Sequence, residues 1–72
     1  MNIYLVKKYL KSKIGHNATI KYNLGRNKYE TYKVKLNALY NNIFTVITDR
    51  NEIKSFSYND IIMKLVRIDF KV

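Results

Sequence analysis

The spacing of the apolar residues changes at Gly15, and this change constrains the fold more than any other feature of the chain. Before Gly15, apolar residues recur every three or four positions, as on one side of an α-helix: Ile3, Val6, Leu10 and Ile14. After Gly15, apolar and polar residues alternate, as in a strand with one buried face. Asn2 can cap the helix and Gly15 can end it, so we predict an amphipathic helix over about residues 3–13, followed by strands.

Five short segments after Gly15 combine this alternation with β-branched and aromatic residues, which is typical of strands. The predicted strands are about 18–24, 29–39, 43–48, 53–58 and 65–72. The residues typical of turns between them are Leu24-Gly25-Arg26-Asn27, Tyr40-Asn41-Asn42 and Asp49-Arg50-Asn51-Glu52. Before the last strand, Asn59-Asp60 can cap a single helical turn through Ile61 and Ile62.

The order of these elements predicts the fold class. At 72 residues, without proline, linker or repeat, the chain is expected to form a single domain, residues 1–72. We predict a mainly β fold with one N-terminal α-helix over about 3–13 and a small five-stranded antiparallel barrel over about 16–72, because closure would cover the strand edges. A helix at the start and a single helical turn before the last strand match an Sm-like barrel better than an oligonucleotide-binding fold.

The positive charge is large and unevenly distributed. The formal net charge is +9, and residues 1–35 carry nine Lys or Arg against Glu30 alone, whereas residues 36–72 carry five against four acidic residues. Asn, Lys, Ile and Tyr, which share AT-rich codons, make up 36 of the 72 residues. Genome composition is therefore one explanation of the lysine content, and a selected basic surface that attracts polyanions is the other.

A polyanion-binding face is the first candidate site, with eight basic residues on the helix, the outward side of the first hairpin and its tip. They are Lys7, Lys8, Lys11, Lys21, Arg26, Lys28, Lys33 and Lys35. Such a face would bind nucleic acid with low sequence selectivity, because phosphate contacts carry no sequence information. Tyr4 and Tyr29 could stack on bases, whereas Tyr22 and Tyr32 have inward parity and are expected in the core. The alternative is a solvated lysine surface that keeps the protein soluble.

A protein-contact surface is the second candidate. Leu5 and Tyr9 lie off the apolar stripe of the helix, and Leu65 has outward parity in the last strand. If these side chains cluster, they predict a homodimer or a partner-protein interface; if they are scattered, they are ordinary exposed apolar residues.

Catalytic, metal and membrane roles find little support in the sequence. There is one histidine, no cysteine and no paired carboxylate site, and His16 is expected to interact with the carbonyl end of the helix. We therefore predict no enzyme activity, no cofactor and no metal. The longest uncharged stretch has 13 residues, over 36–48, and Lys7 and Lys8 follow the first apolar run instead of preceding it. We expect a cytoplasmic protein that does not contact a membrane.

Several short segments resemble the Veg family of short bacterial proteins, in an order and spacing that cover about residues 3–70. They are Ile14-Gly15, Ile20-Lys21, Gly25-Arg26-Asn27-Lys28, Tyr40 through Val46 (YNNIFTV), and Phe56-Ser57-Tyr58-Asn59-Asp60-Ile61. The family usually has paired glycines at the first turn, where this chain has Leu24-Gly25. Only Arg26 and Lys28 carry over as the basic part of that motif.

The resemblance implies an Sm-like barrel and a biofilm formation stimulator involved in regulation of transcription, without catalytic activity. Two mechanisms stay open. In the first, the protein binds a regulatory protein, a repressor, through apolar surfaces and strand edges. In the second, it is a small basic protein that binds RNA or DNA through its N-terminal half. The sequence names neither the partner nor the oligomeric state.

Overall fold

A computed structural model describes residues 2–70, which form two helices and five strands. In chain order they are α1 (Ile3–Lys11), β1 (Asn17–Gly25), β2 (Lys28–Leu39), β3 (Ile43–Thr48), β4 (Ile53–Ser57), α2 (Tyr58–Ile62) and β5 (Val66–Phe70). The predicted mainly β fold with an N-terminal helix and five antiparallel strands is confirmed. The last two residues of the predicted fifth strand, 71 and 72, lie outside the described residues.

The five strands form one sheet in the order β4-β3-β2-β1-β5. β4 pairs only with β3 and β5 pairs only with β1, so these two strands are the edges of the sheet within residues 2–70. Because the sheet is not closed, the Sm-like barrel predicted from the element order is not confirmed. Both edges therefore keep backbone N–H and C=O groups that no neighbouring strand occupies.

Helix α1 begins as predicted and ends earlier. The Asn2 side-chain oxygen accepts a hydrogen bond from the Leu5 backbone N–H (2.9 Å), which caps the first turn. The helix ends at Lys11 with Ser12 as its C-cap, and Gly15 takes a left-handed φ of 85°. Because the chain has left the helical path at Ser12, the predicted burial of Ile14 is wrong, and this side chain is 45% exposed.

Three further local predictions are wrong. A bulge between Asn23 and Gly25 interrupts the first hairpin, so Leu24, which the alternation of the first strand places in one row with Ile20 and Tyr22, has no cross-strand partner and is half exposed. The cap of α2 is Ser57, whose hydroxyl accepts a hydrogen bond from the Asp60 N–H (3.1 Å), rather than Asn59-Asp60. Tyr58, predicted as the last residue of the fourth strand, is therefore the first residue of α2.

The core lies between the inner face of the sheet and the two helices. Val6 and Leu10 of α1 belong to one buried cluster with inward side chains of every strand, among them Ile20, Leu36 and Phe44. Tyr58 is completely buried, its ring lies 5.8 Å from that of Phe44, and its hydroxyl donates a hydrogen bond to the Tyr40 carbonyl oxygen (2.7 Å). Tyr22 and Tyr32 are partly buried against this core, as their parity predicts.

Candidate functional site

A groove of about 430 Å³ separates α1 from β5, and we call it the α1–β5 groove. Its walls are Leu5, Val6, Tyr9 and Leu10 of α1, Ile61 and Lys64 of the α2 region, and residues 66–69 of β5. Two of the three predicted protein-contact residues, Leu5 and Tyr9, lie together here and are 51% and 53% exposed. Leu65 lies just before β5, is 37% exposed and does not line the groove.

The helical repeat explains why these two side chains share the groove. Val6 and Leu10 are four residues apart and attach α1 to the core. Leu5 and Tyr9 precede them by one residue each, so they form a second row along the helix, beside the buried one. The Tyr9 ring meets Phe70 edge-on at 5.8 Å between centroids, and the Lys13 ammonium lies 5.9 Å from both ring centroids.

The opposite wall of the groove is the free edge of β5. The groove is lined by four consecutive β5 residues and by no residue of β1, so it lies on the side of β5 that has no neighbouring strand. The Asn23 N–H donates to the Leu65 carbonyl oxygen (2.8 Å), so Asn23 and Leu65 form a hydrogen-bonded pair. In an antiparallel pair of strands every second pair of opposite residues is hydrogen-bonded, and the next two such pairs here are Lys21 with Arg67 and Thr19 with Asp69. Arg67 and Asp69 therefore direct their backbone groups toward β1, whereas Ile68 directs its N–H and C=O toward the groove.

The outer face of the sheet brings two cations together beside this edge. Lys21 of β1 lies directly opposite Arg67 of β5, and Thr19 lies opposite Asp69. Directly opposed like charges destabilise a strand pair. An anion next to Arg67 would relieve this repulsion.

The eight predicted polyanion-binding residues occupy two separate surfaces. Lys7, Lys8 and Lys11 of α1 line a hollow of about 710 Å³ with Tyr4, Ile14 and Leu39. The other five lie on the first hairpin: Lys21, Lys33 and Lys35 on its outer face, and Arg26 and Lys28 at its tip. Because α1 packs against the inner face of the sheet, the helix lysines and the outer-face lysines lie on opposite sides of it.

The hairpin surface contains the closest cation–aromatic contact among the described residues. The Lys21 ammonium lies 4.3 Å from the centroid of the Tyr29 ring, and Tyr29 is 53% exposed. In the register of the hairpin, Lys21 pairs with Thr31 and Lys33 pairs with Thr19, so the lysines are offset rather than directly opposed. Repulsion between neighbouring lysines of this hairpin is therefore weaker than direct pairing would produce.

A second cleft, not predicted from the sequence, lies between the tip of the first hairpin and the free edge of β4. It measures about 390 Å³, and its lining includes Tyr22, Glu30, Tyr32, Lys54 and Asp60. The Tyr32 hydroxyl donates a hydrogen bond to the Glu30 carboxylate, and this bond raises the pKa of Tyr32 because it stabilises the protonated phenol. The sequence could have indicated this cleft, because Glu30 lies at every-second-residue spacing from Tyr32 and Val34 and therefore shares their inward face of the strand.

The side chains that could bind a metal ion or act in catalysis do not lie close together in the described residues. Within residues 2–70, no three His, Asp or Glu side chains lie close enough together to hold a metal ion. His16 is exposed, and its backbone N–H donates to the Lys13 carbonyl oxygen (3.0 Å) in the turn that follows α1. Over the same described range, neither helix has the length and apolar character that crossing a bilayer requires.

The fold and its surfaces define a small, basic protein with an N-terminal helix and, over residues 2–70, a single sheet with two free strand edges. The protein-family model described as Biofilm formation stimulator VEG matches residues 1–69. The chain therefore belongs to the Veg family of biofilm formation stimulators, as the sequence resemblance predicted. This family is regulatory and is not a known enzyme family. Searches of curated proteins and of solved structures returned no match.

Proposed function

We propose that this Veg-family protein stimulates biofilm formation by binding a regulatory protein, a transcriptional repressor, in the cytoplasm through the α1–β5 groove. The observation that carries the proposal is the pair Leu5 and Tyr9, two large apolar side chains that lie together, half exposed, beside an unpaired strand edge. Clustered exposed apolar groups are typical of interaction sites, whereas isolated ones are not. Aromatic side chains such as Tyr9 are enriched at the centres of protein interfaces.

The groove also predicts how such a complex responds to salt. Its walls are mainly apolar, so most of the binding free energy would come from removing Leu5, Tyr9 and Ile61 from water. This term does not weaken when salt screens charges. A repressor bound here should therefore stay bound at ionic strengths that release electrostatic partners.

The test replaces apolar groove residues with charged ones in cells that lack the native copy. Leu5→Glu and Tyr9→Glu should abolish the stimulation of biofilm formation, because a carboxylate in the interface would lose its water without gaining a partner. Ile53→Glu is the matched control, since Ile53 is 66% exposed and lines none of the grooves and clefts described above. A photo-crosslinking side chain at position 9 would identify the bound protein. Normal biofilm formation with both groove variants would refute the proposal.

Nucleic-acid binding is the second candidate, and the Lys21–Tyr29 contact favours it. An exposed tyrosine beside a lysine, close to Arg26 and Lys28, is suited to stack a base while the cations contact phosphates. Neutralising about five phosphates would give a log-log salt slope of roughly −3.5 on a single strand. The hairpin triple variant Lys21→Glu, Lys33→Glu and Lys35→Glu should then lose affinity for RNA and DNA.

The helix lysines supply the matched control for this candidate. The triple variant Lys7→Glu, Lys8→Glu and Lys11→Glu makes the same change in net charge on the opposite side of the sheet. Equal losses in both triple variants would indicate a response to net charge alone. Unchanged affinity in the hairpin variant would exclude this surface as the nucleic-acid site.

A further inference from the structure

We propose that the partner contributes an extended segment that adds to the free edge of β5 as a sixth strand, with alternating apolar and polar residues and a carboxylate opposite Arg67. This inference rests on the proposed function and specifies the chemistry of the partner. The apolar side chains would face α1, and the polar side chains, among them the carboxylate, would lie on the outer face of the sheet. Three observations support it: the direction of the β5 backbone groups, the apolar wall opposite them, and the charges along this edge.

The backbone of β5 is arranged to accept another strand. Because Arg67 and Asp69 form the hydrogen-bonded pairs with β1, the N–H and C=O of Ile68 point into the α1–β5 groove. An added strand would satisfy these groups through main-chain hydrogen bonds, which is how sheet edges bind extended peptides. A helical partner would leave both groups without a backbone partner.

Side-chain direction decides which residues such a segment must carry. Directly opposite residues in adjacent strands point to the same face. The partner residue opposite Ile68 therefore faces the helix side, where Leu5, Tyr9 and Ile61 form the apolar wall. The residue opposite Arg67 lies on the outer face, and it extends the row that already contains Lys21 and Arg67.

The charges of this edge select an acidic partner. Lys64, Arg67 and Lys13 flank the groove, and Asp69 is the acidic residue in its lining. A carboxylate opposite Arg67 would offset the repulsion between Arg67 and Lys21, whereas the outer-face residue opposite Asp69 must not be acidic. A second copy of this chain is a poorer occupant, because each copy carries a net charge of +9 and the two would repel each other.

The probe is a synthetic octapeptide in which valine alternates with threonine except for one central glutamate, compared with one that has lysine in place of the glutamate. Binding is measured by titration of the full chain, and backbone exchange is followed by amide NMR. In the free protein we expect the Ile68 amide to exchange faster than those of Arg67 and Asp69, which donate to β1. Binding of the glutamate peptide should protect the Ile68 amide, and the lysine peptide should not bind.

Two changes isolate the backbone contribution. Methylating the peptide nitrogens that face β5 should weaken binding about fivefold for each hydrogen bond removed, whereas methylating the alternate nitrogens should have a much smaller effect. Ile68→Pro removes the edge-facing N–H without removing a hydrogen bond to β1, and Ile68→Ala is its control for the lost side chain. We expect the proline variant to bind the glutamate peptide more weakly than the alanine variant.

The outcomes separate this inference from the proposed function. Equal binding of both peptides, no binding of either, or binding without protection of the Ile68 amide would overturn the added strand. Protection of the Ile68 amide by self-association of the free protein would replace the acidic partner with a second copy. If biofilm stimulation were lost in Leu5→Glu but unaffected in Ile68→Pro, the groove would remain the site and only the added strand would be wrong.

Discussion

At the residue scale, two tyrosines carry hydroxyl groups in settings that favour the protonated form. Tyr58 is completely buried, and burial raises its pKa above the ordinary value of 10.0 because the phenolate would be poorly solvated. The pKa of Tyr32 is also raised, because its hydroxyl donates a hydrogen bond to the Glu30 carboxylate. Both groups therefore keep their protons to higher pH in the folded chain than in the unfolded chain.

This difference predicts a loss of stability at alkaline pH. Above pH 10 the unfolded tyrosines release protons that the folded ones retain, so the unfolded state binds fewer protons and the free energy of unfolding falls as pH rises. Below pH 10 the contribution is fully present. Urea unfolding of the wild type between neutral and alkaline pH measures the slope.

Two variants assign this slope to its sources. Tyr32→Phe should make the alkaline fall shallower, because it removes one of the two groups with a raised pKa. Tyr58→Phe should do the same, and at neutral pH it should also cost about 0.5–1.5 kcal/mol through loss of the hydrogen bond to the Tyr40 carbonyl. Equal slopes in the wild type and both variants would contradict the assignment.

At the element scale, the end of α2 contains a strained position. Lys64 follows the helix with a left-handed φ of 64°. This conformation allows the Leu65 N–H to donate to the Asp60 carbonyl oxygen (2.9 Å) and the Lys64 N–H to donate to the Ile61 carbonyl oxygen (3.1 Å). This is the Schellman pattern, in which glycine is the usual residue. A side chain at left-handed φ costs about 1–2 kcal/mol.

Lys64→Gly should therefore stabilise the protein by about 0.5–1 kcal/mol, because relief of strain exceeds the added freedom of the unfolded chain. Met63→Gly is the matched control. Met63 has an ordinary φ of −80°, so glycine there brings only the entropic cost and should destabilise. Denaturant midpoints of the two variants decide this prediction, and equal shifts would contradict it.

The attachment of α1 to the sheet gives a second prediction for an element. Leu10 is fully buried in the core, whereas Leu5 is half exposed in the α1–β5 groove. Leu10→Ala should lower the free energy of unfolding by about 2–5 kcal/mol through lost burial and a residual cavity. Leu5→Ala should lower the free energy of unfolding by less than about 1 kcal/mol, because half of the Leu5 side chain is already in contact with water. A similar cost at both positions would indicate that Leu5 belongs to the core and not to a binding surface.

At the scale of the whole molecule, the net charge opposes compactness. A surplus of +9 on 72 residues produces self-repulsion that is larger in the folded state, where the charges are closer together. Adding sodium chloride over the range below 0.2 M should raise the urea midpoint while leaving the denaturant slope unchanged, because salt screens this repulsion. A midpoint that falls would mean that specific attractive charge pairs outweigh the net repulsion.

Much of the local structure follows from the sequence, and the exceptions have local causes. The third strand, Ile43–Thr48, has the predicted bounds, and the cap by Asn2 is where the pattern places it. Leu24 and Ile14 depart from the pattern because a bulge and the end of a helix each interrupt the repeat on which the prediction depends. Leu5 and Tyr9 were identifiable as exposed, since a helical wheel depends on neighbouring residues only.

The sequence by itself determined where helix changes to strand, which side chains face inward apart from Ile14 and Leu24, and that the charge lies mainly in residues 1–35. Each of these depends on residues a few positions apart. The tertiary structure alone decided that β4 and β5 are the free edges, that the basic residues divide between two sides of the sheet, and that β5 borders the α1–β5 groove. These features depend on pairing between distant segments such as β1 and β5, and the spacing of residues along the chain carries no record of that pairing.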